Sequence, residues 1–201
     1  MNDKVIKGIK EYAIAFNETN DLDPLLQEIN NKKSVLLGES SHGTSELYKI
    51  RTELSKRLIT EKECTFLAVE GDWPACQIVN HYIKGFDKVH SNAREVLKSF
   101  NRWPTWMWAN EEMIDFIEWL KEYNQLQSQN KQVGFYGIDV YSLWESMDEI
   151  IKYLEKIHSL NVETAKQAFA CFEPFNRQPE KYGVSAAFYH PSDRIPLPQG
   201  M

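Results

Sequence analysis

The chain has 201 residues, enough for one ordinary domain or for part of a larger one. At 42% hydrophobic and 12% aromatic it can bury a real core, which excludes intrinsic disorder, and no apolar run approaches the roughly 20 residues that cross a bilayer. The formal net charge of −6 argues against nucleic acid as a partner, because binding to phosphates needs clustered Lys and Arg.

The first four residues, Met1, Asn2, Asp3 and Lys4, lack the basic-then-apolar pattern of a leader, so a cytoplasmic protein without a membrane role is expected. Val5, Ile6, Ile9, Ala13 and Phe16 recur at helical spacing and predict an amphipathic helix over 4–17. A short helix should follow, with Asp23 as its N-cap, Pro24 at its first position, and Leu25, Leu26 and Ile29 facing inward. Three runs, 34–39 (SVLLGE), 64–70 (CTFLAVE) and 132–139 (QVGFYGID), are short and continuously apolar, the pattern of parallel strands covered on both faces. Helical stretches at 45–60, 74–84 and 109–127 separate them, as crossovers require, and two more helices are expected at 142–158 and 161–172. The fold class is therefore α/β, with a parallel or mostly parallel sheet and helices on both faces. His190 to Met201 holds three of the eight prolines and no periodicity, so residues 190–201 are expected to be an irregular tail on a body spanning 1–189. Cys64, Cys76 and Cys171 fit no zinc or CxxC spacing and read as free thiols of a reducing compartment.

In an open parallel sheet, ligands bind beyond the carboxyl ends of the strands. Each expected strand ends in acid: Glu39, then Glu70 and Asp72, then Asp139. Asp72 and Asp139 are equally well explained as helix caps, whereas Glu39 and Glu70 follow apolar residues and are poor caps. Between Gly38 and Gly43, Glu39 and His42 stand three residues apart, within reach of one hydrogen bond. A carboxylate that orients a histidine and steadies its charged form makes it a general base near neutral pH. Arg51 falls in the expected core-facing stripe of Leu47, Ile50, Leu54 and Leu58, so it needs a carboxylate, with Glu39 and Glu70 the nearest in the scheme. Trp103, Trp106 and Trp108 crowd one short segment, suited either to the core or to the wall of an apolar ligand site. His81, His90 and His158 read as surface or packing residues without acid partners. Neither the nucleophile elbow nor the P-loop fits the spacing around Gly38 and Gly43, where His42 and Thr44 replace the required Gly and Lys.

The runs LLGESSHGTSELYKIR (36–51), AVEGDWP (68–74), RWPTWMW (102–108) and GFYGIDVYSLWES (134–146) together resemble the erythromycin esterase family in order and spacing. The resemblance extends over roughly residues 15–188. It implies a hydrolase that opens a macrolide lactone or another bulky ester with histidine-activated water and no cofactor or metal. His42 matches the general base, Glu39, Arg51 and Glu70 its polar surroundings, and Trp103, Trp106 and Trp108 the aromatic stretch; Asp72 and Asp139, as strand-end acids, are expected with the tryptophans among the substrate-binding residues. The implied partner is a small-molecule ester. Family members run to about twice this length and bring further histidines to the cleft, so this chain alone is expected to be weakly active or inactive. Two other readings stand beside it. Glu39, His42, Glu46, Glu70 and Asp72 could chelate Mn²⁺ or Mg²⁺ in a metal-dependent hydrolase, or the chain could be a non-enzymatic remnant or binding module.

Overall fold

The computed structural model describes residues 3–13, 15, 19–39, 41–102, 104–139, 141–170, 172–175 and 181. Helix α1 (Asp3–Tyr12) carries the expected apolar spacing but buries none of its residues. In α2 (Asp23–Ile29), Leu22 rather than Asp23 is the N-cap, while Pro24 occupies the first turn, where its missing N–H costs nothing. Asp23 is instead used by Arg57, whose Nη1 lies 2.7 Å from its carboxylate. Leu22, Leu26 and Ile29 pack with Leu54 and Leu58 of α3 (Ser45–Lys62) into a small helical cluster. Helix α3 closes on Glu63 in the left-handed conformation (φ 55°).

Strand β1 (Phe66–Asp72), α4 (Trp73–Ile83), α5 (Ala93–Leu97), α6 (Glu111–Gln125) and β2 (Gly134–Asp139) follow. The two strands pair in parallel, Phe66 opposite Gly134 and Asp72 opposite Asp139, with a register irregularity between Val69 and Asp72. The fold class is thus α/β around a small parallel sheet. Helix α4 packs chiefly against β2, and α6 packs against α3, α4 and α5. Cys76, Val79, Ile83, Ile117, Leu120, Val133 and Phe135 form the dry centre beneath the sheet. Alternate residues of β1 (Phe66, Ala68 and Glu70) and Ile138 of β2 are exposed. Asn124 is buried in this core because every polar atom it brings is used. Its amide donates to the carbonyls of Ile83 and Val133 at 3.2 and 2.9 Å, and its oxygen accepts the Val133 N–H at 2.7 Å.

The strand expected over 34–39 does not form. Val35 packs onto the α2–α3 cluster, so helices take up the apolar surface that a sheet would have covered. Leu36 is 96% exposed and the segment makes no ladder. The strands expected over 64–70 and 132–139 each begin two residues later than predicted. Helix α5 was not expected from periodicity. Asn92 starts it, accepting the Glu95 N–H at 3.0 Å, so a cap rather than an apolar stripe carries the signal.

Beyond Asp139 the described residues form a second compact unit, in which α7 (Leu143–Lys156) packs against α8 (Val162–Ala170) and Trp144 meets Phe172 edge-on. The expected boundary at 189/190 and the tail lie outside the described residues, as does Cys171. Among the described residues no helix is long and apolar enough to cross a membrane.

Candidate active site

The polar cluster is built on the turn that leads into α3. Gly43 has φ +102°, a conformation that disfavours L side chains, and it turns the chain so that Thr44 becomes the N-cap. The Thr44 hydroxyl donates to Ser41 at 3.2 Å, and its backbone oxygen accepts the N–H groups of Leu47 and Tyr48. The Ser45 hydroxyl donates to the Glu112 carboxylate of α6, which fixes the start of α3 against the core and holds that carboxyl below its usual range.

On this turn Nδ1 of His42 lies 2.8 Å from Oε2 of Glu39. Oε1 of Glu39 faces Arg51, at 3.9 Å from Nη2, and the same guanidinium reaches the carbonyl of Gly38 at 3.5 Å. Glu39 is 20% exposed at its side chain, Arg51 25% and His42 45%. The histidine is therefore open to a reactant while its acid partner is partly sheltered. A neutral ring that donates Nδ1–H to Glu39 presents the Nε2 lone pair outward, as a base does.

Sequence reasoning missed Tyr48. The buried stripe of α3 is Tyr48, Thr52, Leu54, Ser55, Leu58 and Ile59, while Leu47 and Ile50 are only half-buried. Positions 48, 52, 55 and 59 repeat at helical spacing, but three of them, Tyr48, Thr52 and Ser55, carry hydroxyls, which hides the stripe from a purely apolar count. The Arg51 guanidinium lies 5.7 Å from the centre of the Tyr48 ring. Burial, then the Glu39 charge, push the Tyr48 phenol above its usual range, so it stays protonated near neutrality.

The other expected residues divide. Glu70 is exposed, and among the described residues nothing bonds its carboxylate to His42 or Arg51. Its backbone oxygen, however, accepts the Trp108 indole N–H at 2.8 Å. Trp108 is 7% exposed and packs against Phe100 and Phe135, so it is a core residue and not a ligand wall. Trp106 is 43% exposed, and a Cβ on Gly43 would sit 3.1 Å from its Nε1, so this ring lies directly against the His42 turn. Trp103 lies outside the described residues. Asp72 and Asp139 are cross-strand neighbours, and Asp72 also pairs with Arg102 at 3.5 Å. Burial, then the charges of these two aspartates, push the Cys76 thiol up to about 12, so it is an inert buried thiol; Cys64 is half-buried and also free.

The divalent-ion centre imagined from Glu39, His42, Glu46, Glu70 and Asp72 does not assemble. Among the described residues no three such ligands converge. His90, expected to lack an acid partner, has one. Its Nδ1 lies 2.6 Å from Oδ2 of Asp87, an acid partner three residues away that sequence reasoning overlooked.

The sequence profile named erythromycin esterase matches residues 59–197 of this chain, beginning downstream of the Glu39–His42 turn. An erythromycin esterase type II of Escherichia coli is 30% identical over 121 residues, which are 60% of this chain and 26% of that protein. A crystallised succinoglycan biosynthesis protein superposes with TM-score 0.62 and 29% identity, over 86% of this chain and 43% of its own. A crystallised Bacillus cereus protein, 21% identical with TM-score 0.61, shares the fold over 85% of this chain and 42% of its own. The chain thus spans about a quarter of the curated relative and under half of each solved one.

Proposed function

The chain belongs to the erythromycin esterase family, and from that premise we propose that its Glu39–His42 pair activates water to hydrolyse a bulky ester or macrolide lactone. The observation that carries this reading is the 2.8 Å contact between Nδ1 and the carboxylate, on a ring exposed to a reactant. His42 takes the proton of a water through Nε2 as the water oxygen attacks the ester carbonyl; the tetrahedral adduct then collapses with cleavage of the ester C–O bond, and the His42 imidazolium returns its proton to the leaving alkoxide. Glu39 stabilises the imidazolium that forms, and Arg51 neutralises the acid while offering a cation toward the developing oxyanion.

Glu70 is proposed to orient the attacking water. Support comes from the short 106–108 segment, which touches the Gly43 turn through Trp106 and the Glu70 backbone through Trp108. One short segment therefore lies against the backbones of both groups. Trp106 is the wall on which an apolar ester rests, and Asp72 and Asp139 belong to the polar rim.

Hydrolysis of an aryl ester and of a macrolide lactone by the purified 201-residue chain tests the proposal, with the absolute rate expected to be low. Replacing His42 by Ala removes the base and should lower the rate by about 10²–10⁴-fold. A His42→Ala chain as active as its parent refutes it.

A further inference from the structure

Two groups in this cluster are underused, and both flank the Arg51 guanidinium, which lies 5.7 Å from the Tyr48 ring centre and 3.9 Å from Glu39. The Tyr48 hydroxyl is buried, with the residue only 3% exposed, and meets no hydrogen-bond partner. A buried O–H without a partner forfeits the water it had in the unfolded chain, so its persistence calls for a reason. The second group is Oε1 of Glu39. Oε2 is taken by His42, but Oε1 has Arg51 only at 3.9 Å, too far for a hydrogen bond.

The surroundings of the phenol point the same way. The charged groups that act on it are Glu39, Arg51 and Glu112, and Glu39 acts most strongly of the three. Glu112 is already engaged by Ser45, and Arg51 is a donor like the phenol itself. The backbone amide of Gly43 also faces the phenol oxygen, without reaching hydrogen-bonding geometry. Of the charged groups, that leaves Glu39 as the unspent acceptor for the Tyr48 O–H.

We propose that Tyr48 is a positioning residue of this site, its ring carrying Arg51 and its hydroxyl donating to Oε1 of Glu39 when the cluster tightens around a reactant. The carboxylate is then held from both sides, by His42 at one oxygen and by Tyr48 at the other. Its plane is fixed and the histidine is locked as the Nδ1–H tautomer, with Nε2 free to accept a proton. Catalytic hydrogen bonds that are long in an unliganded enzyme and shorten in the reacting complex are a general pattern. The inference rests on the hydrolase reading for its kinetic consequence and not for its spectroscopic one.

The test is Tyr48→Phe in the full chain, followed by nitrogen-15 spectra of the histidine rings with a non-hydrolysable phosphonate analogue of the ester present at saturation, the His42 signal being assigned from its loss in His42→Ala. The phenylalanine keeps the ring under Arg51 and removes only the oxygen. The expected result is a melting temperature at or above the parent's, because an unpartnered buried hydroxyl is removed. His42, a mostly Nδ1–H ring in the parent, should shift toward the other tautomer, and kcat for the ester should fall about tenfold with KM unchanged. A purely structural tyrosine would lower the melting temperature and leave the tautomer alone. The proposal is overturned by a Tyr48→Phe chain that does not fold, or by one whose His42 tautomer matches the parent's. If His42→Ala hydrolyses as well as the parent, the hydrolase reading fails while the tautomer measurement still decides the role of Tyr48.

Discussion

Two acid–histidine pairs with the same three-residue spacing occur in this chain, Glu39 with His42 and Asp87 with His90, and they are secured in different ways. Asp87 is 7% exposed at its side chain, and Oδ1 accepts the backbone N–H groups of Val89 at 2.8 Å and His90 at 3.4 Å. It is the hub of a turn, and His90 is a consequence of that turn. Glu39 has no backbone N–H partner among the described residues. It is held by two side chains, a histidine that can change charge and an arginine at long range. Spacing alone therefore does not make a base. A carboxylate spent on the backbone builds structure, and one left to side chains remains available for chemistry.

The largest expected difference between the two pairs is kinetic. His42→Ala should cost about 10²–10⁴-fold in ester hydrolysis, whereas His90→Ala should leave the rate within about twofold of the parent. Equal losses in the two variants would mean that both histidines serve the fold alone.

Next in size is stability. Asp87→Ala strips two backbone N–H groups and a histidine of their acceptor at a buried position, so it should cost about 1–3 kcal/mol in urea unfolding. Glu39→Ala, on a partly solvated turn, should cost under about 1 kcal/mol. The reverse order would show that the His42 turn carries structural weight.

Acid titration sharpens the same contrast. Burial alone would raise the Asp87 carboxyl, but the Val89 N–H and the His90 ring outweigh it and hold the group below its usual range. A depressed carboxyl contributes stability that is fully present above the unfolded value of about 3.9 and is lost as pH falls through the folded value. The parent should therefore lose stability on acidification below about pH 4, and Asp87→Asn should flatten that limb. A limb unchanged in Asp87→Asn would move the acid sensitivity elsewhere.

Contacts set by neighbouring residues show in the sequence, and those set by the fold do not. The Glu39–His42 contact is local, set by three residues and two flanking glycines, and could be read directly. The Asp87–His90 contact is just as local, but no strand end or glycine pair drew attention to it. The parallel pairing of β1 and β2 was visible because both runs are continuously apolar. The same criterion failed at 34–39, where Val35 found helices to pack on and Leu36 faces water. Trp106 and Trp108 are two residues apart and indistinguishable by type. Only the fold sends one indole into the core, onto the Glu70 carbonyl, and leaves the other against Gly43. Tyr48 was invisible because its role depends on an acid nine residues earlier in the chain.

The smallest stability effect is expected at Trp106, which makes it the cleanest probe of what the exposed site recognises. Its ring is 43% exposed and stands beside a glycine rather than within the core cluster. Trp106→Ala should therefore change unfolding free energy by only about 0.5 kcal/mol, in the range of surface substitutions. It leaves Gly43, Glu39 and His42 in place, so the base itself is intact. If the indole face is where an apolar ester rests, KM for a bulky ester should rise about tenfold or more while that for a small acetate ester stays near the parent value, since uniform binding is lost without loss of chemistry. Gly43→Ala approaches the same contact from the other side. Its Cβ would press within 3.1 Å of the indole nitrogen at a backbone angle that alanine disfavours, so it should disturb His42 as well and lower kcat. A Trp106→Ala chain that loses kcat equally on both esters would assign the indole to holding the turn. One that loses only the bulky substrate would make it the specificity element beside a separately secured base.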